Sequence, residues 1–197
     1  MANPQVAVAP LHEPITLDEL KSDQRIELDN NEDDVFLYGA IQAATVRAEN
    51  FLDRKLVTQT LDYYVHAFPA KDFITLPGGR LASITSLKYT DSDGSETTWT
   101  ASNYFASVTG EPGRLNLAYN ISWPSVTLKP RDAIVVHYIV GYGTGDQVPA
   151  NIRKGILYAA GHFWLNRSDV IVDQGFTAIQ VPQAAEMLWW PDRIVPA

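Results

Sequence analysis

The chain has 197 residues, of which 46% are hydrophobic and 19% charged. That composition belongs to a globular protein and excludes a disordered chain or a membrane-embedded one. The length fits one domain with extensions. No apolar run approaches the ~20 residues that cross a bilayer, Met1 to Pro10 lacks the basic start and apolar stretch of a signal peptide, and the absence of cysteine excludes disulfides and thiolate metal sites.

The net charge of −8 is unevenly placed. Residues 1–34 carry nine acids against Lys21 and Arg25, whereas residues 35–197 carry 14 acids and 13 bases. A chain with no basic surplus lacks the charge that neutralises phosphates, so the isolated subunit is not expected to bind DNA tightly.

The first helix is expected over 16–22, because Thr16 and Glu19 form a capping-box pattern ahead of Leu17 and Leu20. A second is expected over 32–54, with Asn31 as cap, Glu32, Asp33 and Asp34 at its positive end, and Leu37, Ile41, Ala44, Ala48 and Phe51 at helical spacing. The acidic cluster is explained by capping and a solvated face.

From Leu56 the period changes to two, with Val57, Leu61, Tyr63 and Val65 alternating with polar residues. Short strands are expected at 73–76, 84–90, 97–99, 114–117 and 133–140, punctuated by Pro77-Gly78-Gly79, Asp93-Gly94 and Pro112-Gly113. Asp93-Gly94 is the clearest hairpin signal. A glycine-rich corner at 141–145 then leads to Pro149 and a helix over 150–167, whose stripe Ile152, Ile156, Ala159 and Phe163 is widened by Leu157, Ala160 and Trp164 and should pack on the second helix.

Residues 168–197 contain Phe176, Met187, Leu188, Trp189, Trp190 and other apolar side chains without a sustained period, interrupted by Pro182, Pro191 and Pro196. The arm is read as a docking segment with no core of its own, since aromatic clusters mark binding surfaces. Folding back on its own domain is the other reading.

Catalytic chemistry is not legible. His12, His66, His137 and His162 are widely spaced and make no i, i+4 metal pair. Gly141, Gly143 and Gly145 fit neither a phosphate loop nor a dinucleotide fingerprint, there is no G-x-S-x-G elbow, and Asp91 with Asp93 reads as turn chemistry. No enzyme, cofactor or metal is expected. Aromatic platforms can bind sugars, but only Trp99 and Trp123 lie on the β part, where core or interface packing explains them equally well.

Three phrases carry a family resemblance. Pro14 to Lys21, the acidic turn at Asn31 to Asp34 and the helix end Ala48 to Arg54 resemble the N-terminal helical pair of the head-tail connector (adaptor) proteins of long-tailed phages and phage-like gene transfer agents. Val136 to Gly143, followed by Val148-Pro149, Ile152-Arg153 and His162 to Arg167, is similar to that family's strand, glycine corner and final helix. Val181-Pro182 and Met187 to Arg193 resemble its Leu-Leu-x-Pro-x-Arg ending, although Asp192 stands where an aromatic is frequent.

The resemblance implies an α+β fold. Its N-terminal helices and one long C-terminal helix form a helical bundle, with an inserted antiparallel β region over 56–140 and an extended C-terminal arm. Residues 1–13 would be an N-terminal extension, 14–167 the connector domain and 168–197 the docking arm. It further implies a non-enzymatic subunit, made in the bacterial cytoplasm, of a homo-oligomeric ring, usually a dodecamer, at the head-tail junction of a virion or phage-like particle. The ring would sit beneath the portal protein, lead to a stopper and tail terminator, pass genomic DNA through its lumen without specific binding, and touch no membrane. Phe176, Met187, Leu188, Trp189, Trp190 and Arg193 would contact the portal or a neighbour. The alternatives are another neck or tail ring protein and a carbohydrate-binding module acting through Trp99 or Trp123.

Overall fold

The computed structural model describes residues 4–166 and 183–195; Phe176 lies outside them. The chain is mixed α and β, and its packing divides it into two units. A β unit takes the residues up to Leu11 and Arg54–Tyr142, and a helical unit takes His12–Asp53 and the described residues from Gly143 onwards. Among the described residues no helix is long and apolar enough to cross a membrane.

The β unit is built on β8 (Ile134–Val140), whose residues alternate strictly between buried and half-buried. Ile134, Val136, Tyr138 and Val140 point inward, as the two-residue period of its sequence requires. It is flanked by β2 (Gln59–Val65) and β4 (Leu81–Thr90), and β1 (Gln5–Val8) and β5 (Glu96–Trp99) complete an antiparallel sheet ordered β1-β2-β8-β4-β5. A second antiparallel sheet, β3-β7-β6, is formed by β3 (Phe73–Thr75), β7 (Arg114–Leu117) and β6 (Tyr104–Ser107).

The inward faces of both sheets share one core, with Leu61, Leu87 and Tyr138 from the first and Ile74, Leu115 and Tyr104 from the second. The expected hairpin joins β4 to β5, where the Asp91 carboxylate accepts from the Asp93 and Ser95 amides, both at 2.9 Å, and Gly94 takes φ +87°. Two strands had no counterpart in the sequence reading, β6 and β1, the latter within the expected extension over 1–13.

Gly141 ends β8 with φ +116°, and a Cβ there would lie 2.7 Å from the backbone of Val57 and Thr58, so only glycine fits. Beside it, the buried Arg54 guanidinium pairs with Glu111 at 2.9 Å and donates to the Tyr142 hydroxyl. Asp62 and His137, directly opposite across β2 and β8, are hydrogen-bonded.

In the helical unit, α1 (Leu17–Asp23), α2 (Asp34–Leu52), α3 (Ala150–Leu165) and α4 (Gln183–Trp189) pack on one another. The Thr16/Glu19 capping box forms as expected, with the Thr16 amide donating to Glu19 at 2.8 Å and the Glu19 amide to Thr16 at 3.2 Å. Arg153 and Lys154 of α3 reach α1 through ion pairs with Glu19 and Asp23. The Asp23 carboxylate, 2.6 Å away, holds the Lys154 ammonium above its ordinary pKa.

The cap of α2 differs from expectation. Helix α2 starts at Asp34 with Asp33 at the N-cap position, and Asn31 is engaged elsewhere. Lys21 is buried, and a buried ammonium requires oxygen partners. It finds three: the Leu28 carbonyl and Asn31 Oδ1, both at 3.3 Å, and Asp34 Oδ1 at 2.6 Å. The acidic turn is therefore wrapped around an interior cation, which accounts for part of the acid cluster.

The Lys21→Met variant should lose about 2–3 kcal/mol, because Asp34 is left half-buried without its cation, and melt about 5–10 °C lower. Thermal denaturation followed by circular dichroism checks this, and adding Asp34→Asn should recover part of the loss.

Candidate interaction surfaces

The C-terminal aromatic cluster is split between interior and surface. Trp189 is fully buried within its own unit, whereas Met187 is 73% and Trp190 64% exposed, and Leu188 is half-buried. This corrects the expectation that the tryptophan-bearing end has no home in its own subunit, at least for α4. The Trp189 indole donates from Nε1 to the Ile152 carbonyl at 3.1 Å and lies against Gly155, where an added Cβ would sit 2.2 Å from Nε1.

Further ties hold the segment. Asn151 donates to the Leu188 carbonyl at 2.9 Å and to Asp192 at 2.6 Å, Arg47 pairs with Glu186 at 2.8 Å, and the Ile194 amide donates to the Leu52 carbonyl at 3.0 Å. Phe51 lies 5.9 Å from Trp189 and 6.1 Å from Trp190 by ring centroids, and the Arg193 guanidinium sits over both Phe51 and Trp190. Each is a modest contact, and together they anchor the end of the chain. The segment over 183–192 is one helix followed by a 3₁₀ turn (Trp190–Asp192) rather than an extended arm. In this seven-residue helix Ala185 and Trp189 are the buried ones among the described side chains, too few to show a period in sequence.

Among the expected surface residues, the structure thus leaves Met187, Trp190 and Arg193 exposed together and withdraws Trp189. Other large apolar side chains remain exposed: Val6 and Val8 on the edge strand β1, Val35, Tyr38 and Val46 on α2, and Phe105 on β6. Sequence reasoning named none of these as surface candidates, because periodicity marks the buried stripe of a helix, as it did for Leu37, Ile41, Ala44 and Ala48, and gives no sign that apolar residues off that stripe stay uncovered.

The β-unit aromatics pack on one another. Trp123 stacks on Phe68 at 5.2 Å and lies 5.4 Å from Trp99, and Trp99 stacks on Tyr104 at 5.9 Å. The Trp123 indole donates to the Lys71 carbonyl at 2.9 Å. These rings line the core cluster, so their faces are largely spent inside the protein. Burial pushes the Tyr138 hydroxyl well above its usual range while that hydroxyl donates to the Pro77 carbonyl at 2.8 Å. In the exposed turn before α3, the Thr144 hydroxyl donates to Asp146 and holds its carboxyl below the ordinary value. The histidines stay apart: His66 accepts from the Asp132 amide, His137 meets Asp62 and His162 meets Asn166. Among the described residues no three His, Asp or Glu side chains are placed to hold a metal ion.

Residues 14–102 match the family described as phage gp6-like head-tail connector protein, the family that the sequence phrases resemble. The phrases at 136–167 and 181–193 lie beyond that match. No curated protein is significantly similar to the chain. Solved structures are: a chain in the neck of an empty gene transfer agent particle computed with C6 symmetry has a TM-score of 0.81 at 18% identity, covering 100% of this chain and 97% of that one. A chain in the virion of a native gene transfer agent particle gives 0.80 at 18% identity with the same coverage. One in the neck of a native particle computed with C12 symmetry gives 0.70 at 18% identity, covering 96% of each. At this identity the likeness concerns the fold.

The Gly155→Ala variant tests the Trp189 notch, because two effects oppose each other. Alanine favours an exposed helix interior by about 1 kcal/mol over glycine, whereas overpacking a rigid buried indole costs about 1–3 kcal/mol. The clash should prevail, lowering the melting temperature by about 3–6 °C. A higher melting temperature would mean that Trp189 is not seated there.

Proposed function

We propose that this chain is a structural head-tail connector (adaptor) subunit of a phage or gene transfer agent particle, one copy in a homo-oligomeric ring in the neck. The observation that carries this is the whole-length likeness to a neck chain, 100% of this chain on 97% of that one, together with the connector match over 14–102. Necks computed with C6 and C12 symmetry support a closed ring of repeated subunits. Such a ring, of twelve copies in our reading, would sit beneath the portal protein, lead to a stopper or tail terminator, and pass genomic DNA through its lumen. The work is geometric, and we assign the chain no catalysis.

In this reading the helical part acts as a bundle of the N-terminal helices closed by α3, with the β region inserted, and residues 168–197 as the docking arm. Met187, Leu188, Trp190 and Arg193 form its contact surface toward the portal or the next subunit, and Trp189 is the root that fixes it to α3. Phe176 belongs to the same arm in sequence. A mixed aromatic, thioether and guanidinium surface is the composition that dominates interface energetics.

Binding of the purified full chain to portal rings, followed by electron microscopy of the complex, tests the reading; a chain that never joins portal or neck assemblies overturns it. Met187→Asp and Trp190→Asp change exposed side chains, so the fold should persist while portal or neighbour affinity falls about thirtyfold, the loss expected of an interface anchor worth ~2 kcal/mol.

A further inference from the structure

The outer face of α2 is unlike the surface of a monomer. Between Asp34 and Arg47 there is no charged residue, and Val35, Tyr38 and Val46 project to solvent, Val35 at 91% exposure. A helix with apolar side chains all round is ordinarily covered on both sides. On α2 the inner side is taken by Leu37, Ile41, Ala44 and Ala48 within the helical unit, while on the outer side Phe36 lies beside the ring of Trp164 and Val35, Tyr38 and Val46 stay exposed. A shallow groove runs along this face past Glu32, Val35, Gly39 and Ala43.

A second exposed face lies in the β unit. In the β3-β7-β6 sheet, Phe73 and Phe105 both stand opposite Asn116, so the three form one row on the side away from the core. Phe105 is 54% exposed. Lys71 and Arg114 lie over the Phe73 ring, at 5.4 and 4.7 Å from its centroid, and among the described residues neither cation has an acidic ion-pair partner. This face is aromatic and positive where the α2 face is apolar and begins with acid.

Resting on the ring reading above, we propose that the α2 face of one copy is covered by the outer β3-β7-β6 face of the next copy around the ring. A ring is closed by one heterologous contact, which needs two different, complementary patches on every copy. Charge selects this pairing. By sequence the helical unit carries 16 acids and seven bases, and the β unit seven acids and eight bases. Helical unit against helical unit would bring two large negative charges together, whereas helical against β avoids the repulsion and gives Lys71 and Arg114 the acids they lack. Phe105 supplies the apolar knob that the uncharged α2 face accommodates.

Two charge-reversal variants of the full chain test this. Glu32→Lys with Val35→Lys makes the α2 face positive, and Lys71→Glu with Arg114→Glu makes the β face negative; all four positions are exposed, and circular dichroism verifies folding. Each variant alone pairs like charges at every contact, so ring formation, measured by native mass or mass photometry, should fall at least about tenfold at matched concentration. Mixed one to one, the variants alternate around the ring, every contact again joins opposite charges, and rings should return. If both variants assemble alone as the wild type does, or if folded variants fail alone and stay unassembled when mixed, the assignment of these faces is wrong. A wild-type chain that forms no ring, alone or on portal, overturns the ring reading itself.

Discussion

The notch between Trp189 and Gly155 fixes the helical unit. An indole can lie against a helix backbone only where the opposing residue has no side chain, and α3 presents that opening at Gly155 with the Ile152 carbonyl in place to accept the indole N–H. Once Trp189 is seated, the next residues have little freedom. Asn151 holds Leu188 and Asp192, and Trp190 and Arg193 settle around Phe51. Met187 and Trp190 remain exposed, with Val195 beyond them, presented from a fastened base. In the proposed docking role such an anchor would lower the ordering cost of binding, since the segment would not have to be immobilised when a partner arrives.

A second constraint is electrostatic. The surplus acid is confined to the helical unit, while the β unit is close to neutral. Part of the acid is structural: Lys21 draws the turn between α1 and α2 around its buried ammonium, and Glu19 and Asp23 fasten α1 to α3. Others, among them Asp18, Glu27, Asp29 and Glu32, are exposed, and in the proposed ring they would bear on which faces of different copies can approach one another. In the ring proposed above such asymmetry would be of use, because a contact between unlike faces propagates around a ring and a contact between like faces stops at a dimer.

Much of the fold was legible in the residues. The capping box at Thr16, the long run of α2, the two-residue alternation of β8, the Asp93-Gly94 hairpin and the helix after Pro149 rest on local rules that operate within a few residues, and the structure places each near its expected position. The family resemblance drawn from the N-terminal phrase is matched over 14–102. Elements lacking a local signal were missed. Strand β1 is exposed at all four residues and is held by main-chain pairing to β2, so it has no buried side to set a period. Strand β6 is four residues long, and α4 buries only two described side chains. Asn31 resembled a cap, but the demand of a buried lysine ten residues earlier prevailed.

Sequence alone determined the class of the chain, its lack of cysteine chemistry, the helix and strand periods, the acidic bias of its first residues and the aromatic wealth of its end, because these are properties of composition and near neighbours. It could not determine which aromatics are interior. Trp189 and Trp190 are adjacent and chemically identical, yet one is sealed and the other open, and the difference is made by a glycine 34 positions away. The Leu37, Ile41, Ala44 and Ala48 stripe marked the inner side of α2, but sequence could not tell that its equally apolar opposite side, with Val35, Tyr38 and Val46, stays open. Burial is a relation between distant segments, and only the folded chain decides it.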